Sequence, residues 1–591
     1  MCTLLGSLLL LLSCSSPQVG ERSAGVIPAP VQLTKSDGTC PIDSKTGISY
    51  SDPSLRGIAE QLSATLGGLT GLPLPVAQEA TERATDRIHL SLTTDKQSFA
   101  DLPAAFGLSA KEGNPADENY TLSIQPKQIL IQGTAAEGVF RGASTLRQLA
   151  SANLDAKGET CYLPVVEIKD GPRFAWRGLS FDVSRCFFTP DEVKQVIDMM
   201  SLYKMNVLHL HLSDNQGWRI EIKKYPKLAE IGSQIPNNGR KGGYYTQEEF
   251  KELVRYANER FITIVPEVDL PGHTAAVFAA YPEFKNAVRF KTTVNIPGQA
   301  FNALDVDDPK AMQFTKDVIA ELAALTPGGY LHIGGDEAVG LPHDKFVRYV
   351  NQARAMVKEQ GKRSVGWQET ARADIQPGDL FQHWIHMKFQ ADTDKEKKQT
   401  SEPQTGNDPK KTGNDPEKTD NDPFKSPAYR EIMALYMEFM KEAPKDPALG
   451  ISKGAQVILS PSGYVYLDHR YLETSADSTQ EADRERLGMR AYADQTIQEM
   501  YEWDPMTFNP TVEDPRKDVA GIEAAIWCET ISNFKELQFL LMPRLAGVAE
   551  KGWSQVEKTN WEEYRTRLAG QAPLWRQADW YFFQSSLVDW K

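Results

Sequence analysis

The sequence is poor in cysteine, carries no excess of positive charge and lacks long hydrophobic segments. Its 591 residues include only 6 cysteines, too few to hold so long a chain in a disulfide scaffold. It contains neither a C-x-x-C nor an H-E-x-x-H motif, so a structural zinc site or a zincin protease is unsupported. With 65 Lys and Arg against 79 Asp and Glu, the net charge of −14 leaves no basic face for nucleic acid. The 41% hydrophobic content is typical of a globular protein.

The N-terminus carries an apolar block made of Leu4, Leu5 and residues 8–12, which ends at Cys14. The block is too short to span a bilayer and has the length of a secretory h-region. Its end, Leu-Leu-Ser-Cys, resembles a bacterial lipobox, although no Lys or Arg precedes Leu4. We expect residues 1–14 to be a signal peptide and Cys14 to carry the lipid of an exported, outer-membrane lipoprotein facing the periplasm or the cell surface. Ordinary secretion and a cytoplasmic chain are the alternatives.

Four cysteines follow Cys14 in the sequence: Cys40, Cys161, Cys186 and Cys528. Cys40 could pair with Cys161, and Cys186 with Cys528 if their strands are neighbours. Spacing alone favours neither pairing.

Residues 26–170 read as a small α+β domain. Their strands alternate apolar and polar residues, as in Tyr-Thr-Leu-Ser-Ile at 120–124, a pattern typical of a sheet with one solvated face. The Gly171-Pro172 pair then marks a boundary. The predicted elements are helices at 54–66 and 136–150 and strands at 87–92, 120–124 and 129–133.

In residues 171–591 short apolar strands alternate with helical segments, a pattern typical of a parallel sheet buried on both faces. Eight such strands predict a (β/α)8 TIM barrel, and helices are expected at 190–203, capped by Thr189, and at 246–260. The predicted strands lie at 178–183, 206–212, 261–268, 330–334, 363–367, 379–385, 456–460 and 521–527.

A low-complexity insertion of about residues 392–426 separates the sixth and seventh strands. It repeats TGNDPKK, TGNDPEK and TDNDPFK between 405 and 425 and has almost nothing to bury. We therefore expect it to be solvated. A calcium-binding role is the alternative, although the spacing matches no EF-hand loop.

Polar residues follow nearly every predicted barrel strand, at the end where TIM barrels place reactive groups. Carboxylates and tryptophans dominate this set, and that combination suits sugars: indole rings stack on a pyranose, and a carboxylic acid protonates the glycosidic oxygen. Asp336 and Glu337 are adjacent, so they cannot easily flank one anomeric carbon from opposite faces. We expect Glu337 to be the acid and Asp336 to orient another group.

A metal-dependent hydrolase is the alternative from a different class. His209 and His211 lie on one face of a strand, with His273, His332 and Asp336 as possible further ligands. Both His209 and His211, however, lie inside the apolar run, which favours a core role.

Several motifs resemble family 20 of the glycoside hydrolases, the β-N-acetylhexosaminidases. In chain order they are RGLSFDVSRCFF, LHLHLSDNQGWR, PEVDLPGH, HIGGDE, VGWQE, YLD and WCE. VIPAPVQL, ENYTLSI and GVFRGASTLRQL are similar to that family's N-terminal domain. The resemblance covers most of the chain and implies an exo-acting, retaining enzyme that removes terminal β-linked GlcNAc or GalNAc. In the implied mechanism the sugar's own acetamido oxygen forms an oxazolinium intermediate.

The resemblance also implies roles for individual residues and no cofactor or metal. Glu337 would be the general acid and base, Asp336 would hold the acetamido N–H, and Tyr466 would donate to the acetamido oxygen. The remaining expected residues wall the pocket (Trp367, Trp384 and Trp527), bind the outer hydroxyls (Arg185, Asp468 and Glu529) or support Glu337 (His273 and Asp214).

Two departures from the family pattern stand out. Cys186 occupies a position where many relatives have His, and the long insertion falls on a loop at the active face. The insertion could restrict the aglycone site or lie in solvent, and we expect the latter.

Two further alternatives are a conventional retaining glycosidase with Glu529 as nucleophile and a glycan-binding lipoprotein without catalysis, although the catalytic set is intact.

Overall fold

A computed structural model describes residues 25–79, 88–110, 114–154, 161–234, 239, 241–284, 303–386, 427–509 and 511–590. The predicted signal peptide and lipidated Cys14, and the repeat at 405–425, lie outside the described residues. None of the helices in the described ranges is both long enough and apolar enough to cross a membrane.

The N-terminal part of the chain folds into one mixed sheet of seven strands, in the order β1-β7-β5-β6-β4-β2-β3. Helix α1 ends at Gly71, whose left-handed φ of 69° closes the last turn. Helix α2 is buried along most of its length because it lies between this sheet and the barrel. The elements are β1 Gln32–Ile42, β2 Ile48–Tyr50, α1 Arg56–Thr70, β3 Val76–Gln78, β4 Ile88–Leu92, β5 Tyr120–Gln125, β6 Gln128–Gly133, α2 Ala136–Ala152 and β7 Cys161–Asp170.

The sequence patterns located only part of this sheet. β5 alternates buried and less buried residues as predicted for a sheet with one solvated face. Strands β1, β2, β3 and β7 were missed. β1 is mostly exposed and rich in polar residues, whereas β2 and β3 have three residues each and give no periodicity to detect.

The rest of the chain forms a closed barrel of eight parallel strands, which confirms the predicted TIM-barrel fold behind a small α+β domain. All eight predicted strands are present, shifted by a few residues at most. They are β8 Trp176–Asp182, β9 Val207–His211, β12 Thr263–Glu267, β13 Tyr330–His332, β14 Arg363–Trp367, β15 Leu380–His383, β16 Gln456–Leu459 and β17 Val519–Ile526. A two-stranded ribbon, β10 Ser213–Asp214 and β11 Gly217–Trp218, follows β9.

Helices surround the barrel, and the two early ones begin at the expected residues. The side chains of Thr189 and Thr246 each close a capping box with the glutamate three residues later. The helices are α3 Pro190–Leu202, α4 Gln247–Asn258, α5 Ala275–Ala280, α6 Pro309–Ala324, α7 His343–Glu359, α8 Pro427–Met440, α9 Asp446–Ser452, α10 Ser462–Val465, α11 Glu481–Arg486, α12 Ile497–Tyr501, α13 Pro515–Asp518, α14 Phe534–Leu541, α15 Arg544–Trp553, α16 Trp561–Ala569 and α17 Ala572–Gln577.

The four cysteines in the described ranges are buried, and no disulfide bond joins them. Burial and the neighbouring carboxylate of Asp182 raise the pKa of Cys528 well above the usual value for a thiol. The Cys528 side chain therefore stays protonated and acts as a small apolar group in the core.

A buried ionic cluster joins the N-terminal sheet domain to the barrel. Glu118 accepts a hydrogen bond from Arg141 Nε at 2.9 Å and another from Arg177 at the start of the barrel. Asp170 accepts from Lys204 Nζ at 3.1 Å and from Trp553 Nε1 at 2.9 Å. Because these charges are buried, each depends on its partner, and the cluster fixes the sheet domain against the barrel.

Glu118→Ala tests this cluster. The substitution leaves the buried Arg177 guanidinium without its carboxylate and leaves Arg141 with Glu137 alone, so we expect the free energy of unfolding to fall by about 3–5 kcal/mol in urea denaturation. Glu60→Ala is the control, because Glu60 and its partner Arg56 are exposed on α1, and it should leave stability almost unchanged. Equal, small losses in both variants would contradict a structural role for the cluster.

Candidate active site

Asp336 and Glu337 follow β13 on a loop that only glycine permits. Gly334 and Gly335 have φ values of 68° and 99°, in the left-handed region, and a Cβ on Gly334 would lie 1.9 Å from Asp269 Oδ1. The Gly335 N–H donates to that same oxygen at 3.0 Å. The two glycines therefore turn the chain so tightly that the Asp336 and Glu337 side chains, each 14% exposed, both reach the same rim.

His273 connects the two carboxylates to the barrel. Its Nδ1 lies 3.1 Å from Asp214 Oδ1, and its Nε2 lies 3.6 Å from both Asp336 Oδ2 and Glu337 Oε2. Burial alone would lower the pKa of His273, but the carboxylates of Asp214 and Asp336 outweigh it and raise the pKa to about 9. The imidazole is therefore charged at neutral pH and faces the acid.

Asp336 forms a close carboxyl pair with Asp269, which follows β12. Burial, together with the charge of Asp269, raises the pKa of Asp336 well above its ordinary value. Burial and the neighbouring Glu267 raise the pKa of Asp269 to about 8. A single proton shared between the two carboxyl groups accounts for the raised pKa of both Asp269 and Asp336. Asp336 Oδ1 is buried and has no hydrogen-bond partner among the described residues, so an incoming N–H donor would find an acceptor there.

Four aromatic side chains from four different strand ends form one wall of the site. Trp367 and Trp527 lie with ring centroids 5.7 Å apart, and Tyr466 lies 5.9 Å from Trp527. Trp384 belongs to the same buried cluster. The indole N–H groups are fixed by carboxylates: Trp367 Nε1 donates to Glu267 at 2.8 Å and Trp384 Nε1 donates to Glu369 at 3.2 Å. The wall is thus rigid, and it is apolar enough for a methyl group or a sugar face.

Arg185 is held beside the Trp527 end of this wall by three carboxylates. Its Nη2 lies 2.7 Å from Asp214 Oδ2 and 4.0 Å from Glu529 Oε1, and its backbone N–H donates to Asp182 Oδ1 at 3.0 Å. The guanidinium lies over Trp527, 5.0 Å from the ring centroid. The structure therefore places Arg185 beside both Glu529 and Asp214.

Asp468 lies next to Glu529 and is buried. Neither of its carboxyl oxygens has a hydrogen-bond partner in the ranges that the structure covers. Burial and the charge of Glu529 raise the pKa of Asp468 well above its ordinary value. A buried carboxyl with two unused acceptor positions is suited to a polar ligand such as a pair of sugar hydroxyls.

His209 and His211 lie in the barrel interior and not on the open rim. His209 bonds Glu523 through Nδ1 at 2.9 Å and Glu267 through Nε2 at 3.0 Å. His211 bonds Glu267 and, at 2.9 Å, Asp214. Because carboxylates occupy both nitrogens of each ring, a metal ion would have to displace these bonds. The described residues favour the core role over the metal-dependent alternative.

Four residues that border the site have no role assigned to them from the sequence. Gln216 accepts from Arg185 Nε at 3.2 Å, and Tyr492 packs beside Tyr466 with ring centroids 6.3 Å apart. Asp269 forms the carboxyl pair described above, and Tyr436 of α8 donates to Glu337 Oε1 at 3.2 Å. Asp269 lies inside a quoted motif and could have been found from it. Tyr436 and Tyr492 come from long loops, where no strand end marks them.

The closed barrel and its rim of carboxylates, tryptophans and tyrosines define a glycoside hydrolase. The family model "Glycosyl hydrolase family 20, catalytic domain" matches residues 174–402 and 433–556, and "Glycosyl hydrolase family 20, domain 2" matches residues 23–171. The chain belongs to glycosyl hydrolase family 20.

Named relatives agree with this membership. A "Beta-N-acetylhexosaminidase" of Cellulomonas fimi is 33% identical over 96% of this chain and 97% of its own length. A "Beta-hexosaminidase" of Porphyromonas gingivalis is 30% identical over 95% of this chain and 65% of its own length. Among solved structures, a mutant Streptomyces plicatus β-hexosaminidase in complex with product GlcNAc is 34% identical with a TM-score of 0.76, and covers 96% of this chain and 98% of that chain.

The charge on His273 predicts a pH dependence of stability. Its folded pKa of about 9 lies above the ordinary value, so its contribution is complete below about pH 6.5 and is lost as the pH rises through about 9. We expect the wild type to lose up to about 3 kcal/mol of its stability advantage over His273→Gln across that interval, measured by urea denaturation. A difference that stays constant with pH would contradict the charged state assigned to His273.

Proposed function

We propose that this glycoside hydrolase is an exo-acting, retaining β-N-acetylhexosaminidase that uses the substrate's acetamido group as its nucleophile. One observation supports this most strongly: the acid candidate Glu337 has its carboxyl partner as the adjacent residue, on the same loop. A conventional retaining enzyme needs its two carboxylates on opposite faces of the sugar, roughly 5 Å apart. Asp336 instead is the neighbour of Glu337 in the chain, with one buried oxygen that can accept from a group on the sugar.

The residues then divide the reaction between them. Glu337 gives its proton to the glycosidic oxygen as the C1–O bond breaks, and the acetamido oxygen bonds to C1 to form the oxazolinium ring. Asp336 accepts the acetamido N–H and stabilises its positive charge, while the Tyr466 hydroxyl donates to the acetamido oxygen. Water then attacks C1, Glu337 takes the water's proton, and the ring opens to give a product of retained configuration.

The other rim residues account for recognition of a terminal sugar. Trp367, Trp384 and Trp527 enclose the acetamido methyl and the sugar ring. Arg185, Asp468 and Glu529 lie together beyond the ring and bind its outer hydroxyls, which closes the pocket over the non-reducing end. Asp214 and His273 connect this edge to Glu337. The names of the relatives and the GlcNAc in the Streptomyces plicatus structure support the same substrate class.

We further propose that Cys14 carries a lipid that anchors the exported enzyme to the outer membrane. The apolar block ending in Leu-Leu-Ser-Cys supports this proposal.

Cys14→Ser tests the anchor. The substitution removes the sulfur to which the diacylglyceryl group would be attached. When the full chain is expressed in a bacterial host, the wild type should partition into detergent and incorporate labelled palmitate. Cys14→Ser should do neither, while a Cys2→Ser control behaves as the wild type. Labelling of both variants would contradict the assignment.

A substrate panel tests the proposed reaction. Nitrophenyl β-GlcNAc and β-GalNAc should be hydrolysed, whereas nitrophenyl β-glucoside, which lacks the acetamido nucleophile, should not.

We expect Asp336→Asn to lower kcat by about 10²–10³-fold because it removes the charge that stabilises the oxazolinium. Glu337→Gln should lower it by about 10²–10⁴-fold while substrate still binds.

The panel also separates the rival mechanisms. Efficient cleavage of the β-glucoside would favour a conventional glycosidase with Glu529 as nucleophile. Wild-type rates in Glu337→Gln would refute the acid assignment.

A further inference from the structure

Helix α8 lies in the connection between the sixth and seventh barrel strands, directly after the insertion of about residues 392–426 that we expect to be solvated. The C-terminal half of α8 packs against the active site. Tyr436 and Phe439, one turn apart, face the barrel, and Met437 between them is 57% exposed. The helix therefore presents one defined face to the rim.

Interactions with the loop after β14 fix this end of α8. The Arg372 guanidinium lies 4.5 Å from the ring centroid of Phe439 and makes two bonds of 2.8 Å to Asp446. Gln368 Nε2 donates to the Ala443 carbonyl at 2.9 Å, and its Oε1 accepts from the backbone N–H of Trp384 at 3.1 Å. The segment that carries Tyr436 is thus tied to the loop that carries the aromatic wall.

The Tyr436 hydroxyl donates to Glu337 Oε1 at 3.2 Å. The other oxygen, Oε2, lies 3.6 Å from His273 Nε2, too far for a hydrogen bond, so Oε2 is the oxygen suited to carry the acid proton. Burial and the charge of Glu337 raise the pKa of Tyr436, so its hydroxyl keeps its proton and remains a donor. Tyr436 therefore holds one oxygen of the acid by a hydrogen bond, while the charged His273 lies near the other.

We propose that Tyr436 is a positioning residue that orients Glu337 and stabilises the carboxylate formed as the proton leaves. A hydrogen bond to a carboxylate is stronger than one to a carboxylic acid, so this bond strengthens in the transition state. Its contribution matters most when the departing group needs protonation. This role rests on the proposed function, since it assumes that Glu337 protonates the leaving group.

Leaving-group dependence tests the role with Tyr436→Phe. Phenyl β-GlcNAc has a poor leaving group and should lose about tenfold in kcat/KM, equivalent to one good hydrogen bond. Dinitrophenyl β-GlcNAc departs without protonation and should stay within about twofold. Phe439→Ala, which frees α8 from Arg372, should reproduce the selective loss. Met437→Ala on the exposed side of the helix is the matched control and should change neither rate.

The pH profile gives a second readout that a merely structural role would not move. Four titratable groups among the described residues face Glu337: His273, Asp336, Tyr436 and Tyr492. Loss of the Tyr436 bond removes support for the carboxylate, so the alkaline limb of kcat/KM should shift to higher pH in Tyr436→Phe.

The outcomes separate the two proposals. Equal losses of kcat/KM on the phenyl and dinitrophenyl substrates, no loss on either, or an unshifted alkaline limb would overturn the role of Tyr436 and leave the proposed function intact. Failure of the wild type to cleave either substrate would overturn the proposed function itself.

Discussion

The carboxylate of Glu267, at the end of β12, is the interaction on which the active site depends. It binds His209, His211 and the indole N–H of Trp367, and so joins the barrel interior to the aromatic wall. Through His211 it reaches Asp214, which in turn holds Arg185 and His273. Burial of a charge is costly unless it is fully paired, so this carboxylate fixes the position of every side chain around it.

Proton sharing is the second constraint on the site. Asp269, Asp336 and Glu337 lie close together, and three ionised carboxylates there would repel one another strongly. The imidazolium of His273 offsets part of that repulsion, and one proton held between Asp269 and Asp336 removes more. A substrate N–H that donates to Asp336 would stabilise the remaining negative charge, and the site is therefore suited to an N-acyl sugar.

The connection between the sixth and seventh strands adds α8 to the rim of the active site. A TIM barrel places its chemistry on loops after the strands, and long loops there add contacts without altering the core. Here the end of such a loop returns to the acid through Tyr436 and is secured by Phe439 stacking on Arg372. The composition of the insertion at about 392–426 therefore does not predict the contacts of α8, the helix that follows it.

The sequence by itself determined the barrel and most of the rim. Short apolar strands and the motifs at their ends located all eight barrel strands and the positions of Asp336, Glu337 and Tyr466, because strand ends in a parallel barrel converge. In the first sheet β1 escaped detection because it is polar, and β2 and β3 because three residues show no periodicity, whereas β7 was missed although it is long and mostly buried. Only the tertiary structure decided which groups meet across distant segments, namely the Asp269–Asp336 pair, the Glu118 cluster and the contact of Tyr436 with Glu337. These depend on loop paths and on the balance of buried charge, and local sequence encodes neither.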